Sequence, residues 1–221
     1  MTRAYFITGT DTNVGKTYVS CGLLRTFAAE GRSVIGMKPI AAGCELVGEL
    51  LVNDDVRQLQ AASNIKAALT DINPYAFVPP IAPHIAAQQA SVEIEFAPIV
   101  QAFKRLQQQA EVVIVEGVGG FCVPLNAHQD SADLAVALGL PVILVVALRL
   151  GCLNHALLTV QAIHQRGLTL AGWVANDIGD GMLAQAENIS ALQQRINAPL
   201  IAQLPAQITA DSAYFSLAKI L

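Results

Sequence analysis

Short runs of consecutive apolar residues, bounded by Gly, Pro, Asn and Asp, alternate along the chain with helix-length segments. The runs at 4–8, 33–38, 112–116, 142–147, 170–175 and 200–204 predict strands. Most carry no polar alternation, which is the pattern of parallel strands covered on both faces. Helices are predicted over 16–30, 96–110, 131–138, 152–165 and 182–196, each between two strands or close to one. Gly31, Gly139 and Gly167 fall where a helix ends and a left-handed residue is needed. The stretch from Ile40 to Ser91 shows no convincing strand and contains Asn73-Pro74, Pro79-Pro80 and Pro83, so a long insertion with short helices is expected there, at about 40–91. No repeat, low-complexity tract or linker interrupts the pattern. The expected architecture is a single α/β domain over 1–221, with a mostly parallel sheet and helices on both faces.

Composition narrows this picture. The AVILMFWYC set makes up 53% of the 221 residues and charged residues only 14%, which excludes intrinsic disorder. The net charge of −4, without a run of three basic residues, argues against a nucleic-acid groove. The uncharged run from Leu134 to Leu148 contains Gly139 and Pro141 and falls short of the roughly 20 residues of a membrane helix. The first residues reach a polar, Gly-rich stretch at Thr8-Gly9 before a signal-peptide apolar region could be completed, so export is not indicated. Cys21, Cys44, Cys122 and Cys152 are far apart and form no CxxC, which points to reduced thiols in a cytoplasmic protein.

The chemistry is concentrated between the first strand and the first helix, in Gly9-Thr10-Asp11-Thr12-Asn13-Val14-Gly15-Lys16-Thr17. A loop in that place turns backbone N–H groups and a helix N-terminus toward one anion. Lys16 is then set to reach the β and γ phosphates of a nucleotide, and the Thr17 hydroxyl to meet Mg²⁺. The spacing is not the common G-x4-GK[ST], because Thr10 stands where the first glycine belongs. Carboxylates for the metal are sought at other strand ends. Glu116 closes Val112-Val113-Ile114-Val115 and precedes Gly117-Val118-Gly119-Gly120, and Asp54 and Asp55 lie in the insertion. Asp54 by itself also fits a helix N-cap.

These residues, together with Lys38-Pro39, Pro83-His84, Leu150-Gly151-Cys152, Asn154-His155 and Gly172-Trp173-Val174-Ala175-Asn176-Asp177, resemble the dethiobiotin synthetase family, in order from residue 5 to about 205. The resemblance implies a P-loop NTPase-like fold and a homodimer that uses ATP and Mg²⁺. Its reaction joins 7,8-diaminononanoate and CO2 through a carbamate and a carbamic-phosphoric mixed anhydride. It implies Lys16, Lys38 and Thr12 as catalytic residues, and Thr17, Asp55 and Glu116 around the metal. The nucleotide falls to Asn13, Val14, Gly15, Lys16, Thr17, Tyr18, Glu116, Gly119, Asn176 and Pro205. Thr12, Lys38, Gly151, Cys152, Leu153 and Asn154 fall to the substrate, the last four from the neighbouring subunit.

An Asn176 amide can both donate to and accept from the adenine edge, and no guanine-reading N-K-x-D is present. Free N–H groups at the start of the helix after the fourth strand suit a carboxylate. Neither His84 nor His155 is assigned as a general base. Three positions depart from the family pattern: Ala42 where a serine is common, Asn13 where a glutamate is common, and Asn188 where a tyrosine is frequent.

Three other readings of this loop exist, one of them a binding module without turnover, which only an assay separates from an enzyme. A nucleotide switch or partitioning ATPase carries a second lysine in its loop, and aligned on Lys16 that position is Asp11. An amidotransferase of cobalamin synthesis has a similar loop but requires a glutaminase domain, for which the residues after about 205 leave no room.

Overall fold

The computed structural model describes residues 2–206 and Phe215. Six parallel strands form the central sheet in the order β10-β9-β8-β1-β7-β2, with β1 (Arg3–Gly9), β2 (Val34–Met37), β7 (Val112–Glu116), β8 (Val142–Ala147), β9 (Leu170–Asn176) and β10 (Leu200–Leu204). Although these strands are buried almost throughout, their residues still divide by alternation between two faces. Tyr5, Ile7, Ile114, Ile143 and Val145 pack with Val19, Leu23, Leu24 and Phe27 of α1 (Lys16–Ala29) and Leu59 of α2 (Asp54–Ala62). Phe6, Val113, Val115, Leu144 and Trp173 pack on the other side. Their partners there are α5 (Phe96–Gln107), α6 (Ser131–Leu138), α7 (Cys152–Gln165) and α8 (Gln185–Gln193). Burial on both faces is why no polar alternation marks the sequence.

The predicted helix over 182–196 is shorter than expected. It begins only after Ala184, whose φ of 53° stops the chain from continuing a helix through Met182 and Leu183.

The insertion departs further from expectation. Four strands form where none was expected: β3 (Ile40–Ala42) pairs in parallel with β6 (Tyr75–Phe77), and β4 (Glu45–Val47) pairs with β5 (Leu50–Val52) as a hairpin. Each is three residues long, too short for a periodic signature, and β3 finds its partner only beyond α2 and α3 (Leu69–Ile72). A short α4 (Pro83–Gln89) follows, with Pro83 in its first turn.

Gly9 at the end of β1, Glu116 at the end of β7 and Lys38 just past β2 all lie at the C-terminal edge of the sheet. That edge is where open parallel sheets bind ligands.

Candidate functional site

Two glycines shape the loop between β1 and α1. A Cβ at Gly9 would run into Val14 Cγ2, and one at Gly15, where φ is 91°, into Asn176 Nδ2. Only hydrogen at these positions lets the loop fold over the strand end while Asn176 reaches across and donates from Nδ2 to the Val14 carbonyl at 2.8 Å. Asn13 takes a φ of 59°, a region that asparagine enters more easily than most side chains. The Val14 side chain is buried in the core, so this residue faces the loop with backbone only.

Below the loop opens a cavity of about 900 Å³. Thr12, Asn13, Gly15, Lys16, Thr17 and Tyr18 line one wall and Glu116, Val118, Gly119 and Val123 another. The insertion supplies the rest through Ala42, Asn53, Asp55, Gln58 and the turn from Pro80 to Pro83.

Charge meets charge at the bottom of this cavity. The Lys38 ammonium lies 2.5 Å from Glu116 Oε1 and 3.0 Å from Asp55 Oδ2, and it also donates to the Gly117 carbonyl at 3.2 Å. The Thr17 hydroxyl donates to the same Glu116 Oε1 at 2.8 Å. Burial alone would drive the Lys38 proton off, but the attraction of Glu116 and Asp55 outweighs it and holds the pKa above its ordinary value. Burial likewise pulls the Asp55 carboxyl up, and Lys38, hydrogen bonds from Lys38 and Thr17, and the Lys16 charge bring it below the carboxylate norm.

Among the described residues no carboxylate contacts Lys16. Its Nζ donates back to the Asp11 carbonyl at 3.0 Å. Burial, aided by repulsion from Lys38, lowers its pKa from 10.5 to about 8 against the weaker pull of Glu116, Asp55 and Asp11.

The insertion fixes Lys38 through its backbone. Lys38 N–H donates to the Ile72 carbonyl at 2.8 Å, and the buried Asn73 amide donates to the Lys38 carbonyl at 2.7 Å. The cap of α2 is Asn53, whose side chain accepts from Asp55 N–H. Asp54 is therefore not the cap; it points outward and pairs with Arg57, while Asp55, one residue on, faces the cavity. An asparagine just before two acids is a sequence signal for a cap and could have separated Asp54 from Asp55. Asn53, Asn73 and Gln58 were not anticipated.

The donor set suits Mg²⁺. Glu116 Oε2 is fully buried without a hydrogen-bond partner, the Thr17 hydroxyl is bonded to the other oxygen of the same carboxylate, and Asp55 meets the same Lys38 ammonium. Among the described residues no group of three His, Cys, Asp or Glu could hold a metal by itself.

Other anticipated residues lie apart from the cavity. Asn176 and Pro205 sit at the ends of β9 and β10, on the far side of the loop from Glu116. Gly151, Cys152, Leu153 and Asn154 open α7 without a side-chain cap and line no wall of this cavity. His155 is exposed, and Asn188 is half-buried on α8, its side chain donating to the Ala184 carbonyl. Ala42 lines the cavity and its carbonyl accepts from Asn53 at 3.1 Å.

Comparison with known proteins gives the family and the fold. A family model described as an AAA domain matches residues 3–213. Proteins named ATP-dependent dethiobiotin synthetase BioD are similar over most of the chain. The one from Aromatoleum aromaticum is 56% identical over 211 residues, 96% of this chain and 94% of its own. The one from Nitrosospira multiformis is 56% identical over 205 residues, 93% of this chain and 89% of its own. Among solved structures, the septum site-determining protein MinD complexed with Mg-ADP from Pyrococcus horikoshii matches with a TM-score of 0.58 at 20% identity, covering 94% of this chain and 82% of its own. A ParA family ATPase from Chlorobium tepidum matches with a TM-score of 0.55 at 12% identity, covering 96% and 90%. At such identities these structures share the fold alone, a P-loop NTPase-type α/β fold.

Proposed function

The chain belongs to the ATP-dependent dethiobiotin synthetase family, and from that premise we propose how its own residues carry the reaction. It is an ATP-dependent ligase of biotin biosynthesis that closes a ring. The observation that carries the residue assignment is the convergence of Lys16, Thr17, Lys38, Asp55 and Glu116 on one cavity at the strand ends.

An amine of 7,8-diaminononanoate adds to CO2 and loses a proton, giving a carbamate. A carbamate oxygen then attacks the γ phosphorus of ATP and ADP leaves. The second amine attacks the carbonyl carbon of the mixed anhydride, phosphate departs, and the cyclic urea is complete. Both reactants of the phosphoryl step are anions, so the chain's task is to hold them in line and offset charge.

Lys16 lies where the triphosphate would enter and exchanges the Asp11 carbonyl for phosphate oxygens. Lys38 holds its proton firmly and is placed to stabilise the carbamate as charge redistributes. Thr12 lines the same wall and would meet the diamine. Thr17, Asp55 and Glu116 would hold Mg²⁺, which when bound supplies positive charge to the phosphates. Asn13, Val14, Gly15 and Tyr18 form the phosphate cradle, with Gly119 opposite. Asn176 keeps one amide N–H for Val14 and has a second N–H and a carbonyl to offer adenine, with Pro205 beside it.

A homodimer with shared sites follows from the same reading. The uncapped start of α7 has Leu150 97% exposed beside it, and Leu158 on the same helix is also exposed, so this end is open to a second copy. Gly151, Cys152, Leu153 and Asn154 would then offer N–H groups to the substrate's carboxylate across the interface. No described helix is long and apolar enough to cross a membrane, and the four free thiols suit the cytoplasm.

The reading is tested by phosphate release. MgATP should be consumed only when both 7,8-diaminononanoate and a CO2 source are present, with one ADP formed per cyclic urea seen by mass. Equal ATP consumption without the diamine would return the chain to the switch ATPases. Sedimentation at micromolar concentration should show a species of twice the monomer mass.

A further inference from the structure

A phosphate loop that contains a carboxylate poses an electrostatic problem. Asp11 lies near the start of the loop, which must accept a triphosphate and a carbamate, and an uncompensated negative charge there repels both. The structure shows how that charge is met. Asp11 Oδ2 is 2.6 Å from Arg149 Nη2, and Asp11 Oδ1 accepts from Thr12 N–H at 2.7 Å. The Asp11 carbonyl meanwhile accepts from Lys16. One residue thus joins the loop's backbone, its catalytic lysine and an arginine 138 positions further along the chain.

Arg149 is well placed for this. It follows β8, the neighbour of β1 in the sheet, and its own backbone is held in a tight turn. Its N–H donates to the Ala147 carbonyl at 3.1 Å and its carbonyl accepts from Cys152 N–H at 3.0 Å. Arg149 meets the loop through the Asp11 carboxylate, and neither of the two lines the cavity around Lys16 and Lys38.

We propose that Arg149 is a positioning residue for the nucleotide: its guanidinium neutralises the Asp11 carboxylate and pins it toward Thr12, so that the loop presents N–H groups and Lys16 to the triphosphate without a repelling charge. This rests on the ATP-dependent reading above, and it gives a role to a residue pair that reading leaves unused.

The test is charge compensation, read as binding of Mg²⁺ and a non-hydrolysable ATP analogue by titration calorimetry. Arg149→Met exposes the carboxylate and should weaken analogue binding about 3- to 10-fold. Arg149→Lys should stay within about twofold of wild type, because only one guanidinium nitrogen makes the contact. Asp11→Asn keeps a carbonyl for Thr12 N–H and leaves Arg149 positive, so it should bind more tightly than wild type. In the double variant Asp11→Asn with Arg149→Met, the loss should disappear. Unchanged affinity in Arg149→Met, or a double variant as weak as Arg149→Met, would overturn the proposal, the second result making the pair a brace for the turn. Should Arg149→Met not fold, Asp11→Asn decides alone: weaker or equal binding refutes the idea. Analogue binding by wild type without dethiobiotin formation would instead count against the ligase reading and leave the charge test intact.

Discussion

Lys16 and Lys38 are both buried lysines on the wall of one cavity, yet their surroundings push them in opposite directions. Lys16 closes the loop between β1 and α1, where among the described residues its Nζ meets a carbonyl and no carboxylate, and its pKa falls to about 8. Lys38 stands at the mouth of β2 under the insertion, between Glu116 and Asp55, and its pKa rises. Burial is similar in the two, so burial does not decide; the presence of carboxylates does. The loop leaves a buried cation without a carboxylate in contact among the described residues, whereas the insertion builds one that is paired twice over.

The contrast breaks most visibly on removal of each charge. Lys16→Met should lower kcat/KM for MgATP by on the order of 10²–10³ and yet raise the stability of the nucleotide-free protein by roughly 1–3 kcal/mol, because the folded state no longer carries a poorly solvated ammonium. Steady-state kinetics and thermal melting together check both signs. Lys38→Met should lower kcat by about 10² with little change in KM for ATP. It should also destabilise the protein by roughly 3–5 kcal/mol, since Glu116 is left buried and unpaired. Equal stability changes in the two variants would show that the carboxylates do not distinguish them.

A third outcome concerns pH. The folded pKa of Lys16, about 8, lies below its unfolded value of 10.5. Between these values the unfolded chain binds the extra proton, so this group makes the nucleotide-free protein more stable as pH rises through that window. Affinity for MgATP should move the other way and fall as pH rises above about 8, because the free enzyme's lysine is then neutral. Lys16→Met should flatten both slopes, and retention of either slope in the variant would assign it to another group.

The smallest change expected is at Ala42. Ala42→Ser puts a hydroxyl on the cavity wall and should alter kcat/KM by no more than about threefold, with stability within about 0.5 kcal/mol. A loss larger than tenfold would show that the insertion wall is packed to fit alanine.

The loop and the insertion also differ in how much of them was legible in the sequence. β7, β8, β10, α6 and α7 have the boundaries predicted, since unbroken apolar runs and flanking glycines are local signals. Lys16, Thr17 and Glu116 were legible for the same reason, each belonging to a contiguous strand-and-loop pattern. In the insertion the decisive contacts are distant: Ile40 pairs with Tyr75, Asn73 holds Lys38, and Arg105 on α5 fixes Asp71 at 2.7 Å. Nothing local in Ile40-Ala41-Ala42 announces a strand. The choice of Asp55 over Asp54 came from the family resemblance, and only the Asn53 cap gives it a physical reason. The ion pair of Asp11 with Arg149 is equally invisible along the chain, because sequence spacing carries no record of which loops meet at a sheet edge.

The position of β1 at the centre of the sheet has a consequence for synthesis of the protein. Its two ladder partners lie far downstream, with Arg3 opposite Val112 and Phe6 opposite Val142. A nascent chain emerging from a ribosome therefore holds a finished phosphate-loop sequence long before it has the strands that flank it. Until β7 and β8 have emerged, neither Glu116 nor Arg149 can reach that loop, and the apolar face of β1 waits without cover. Nucleotide then arrives too late to guide early folding and can only reward a chain whose central strands are already paired.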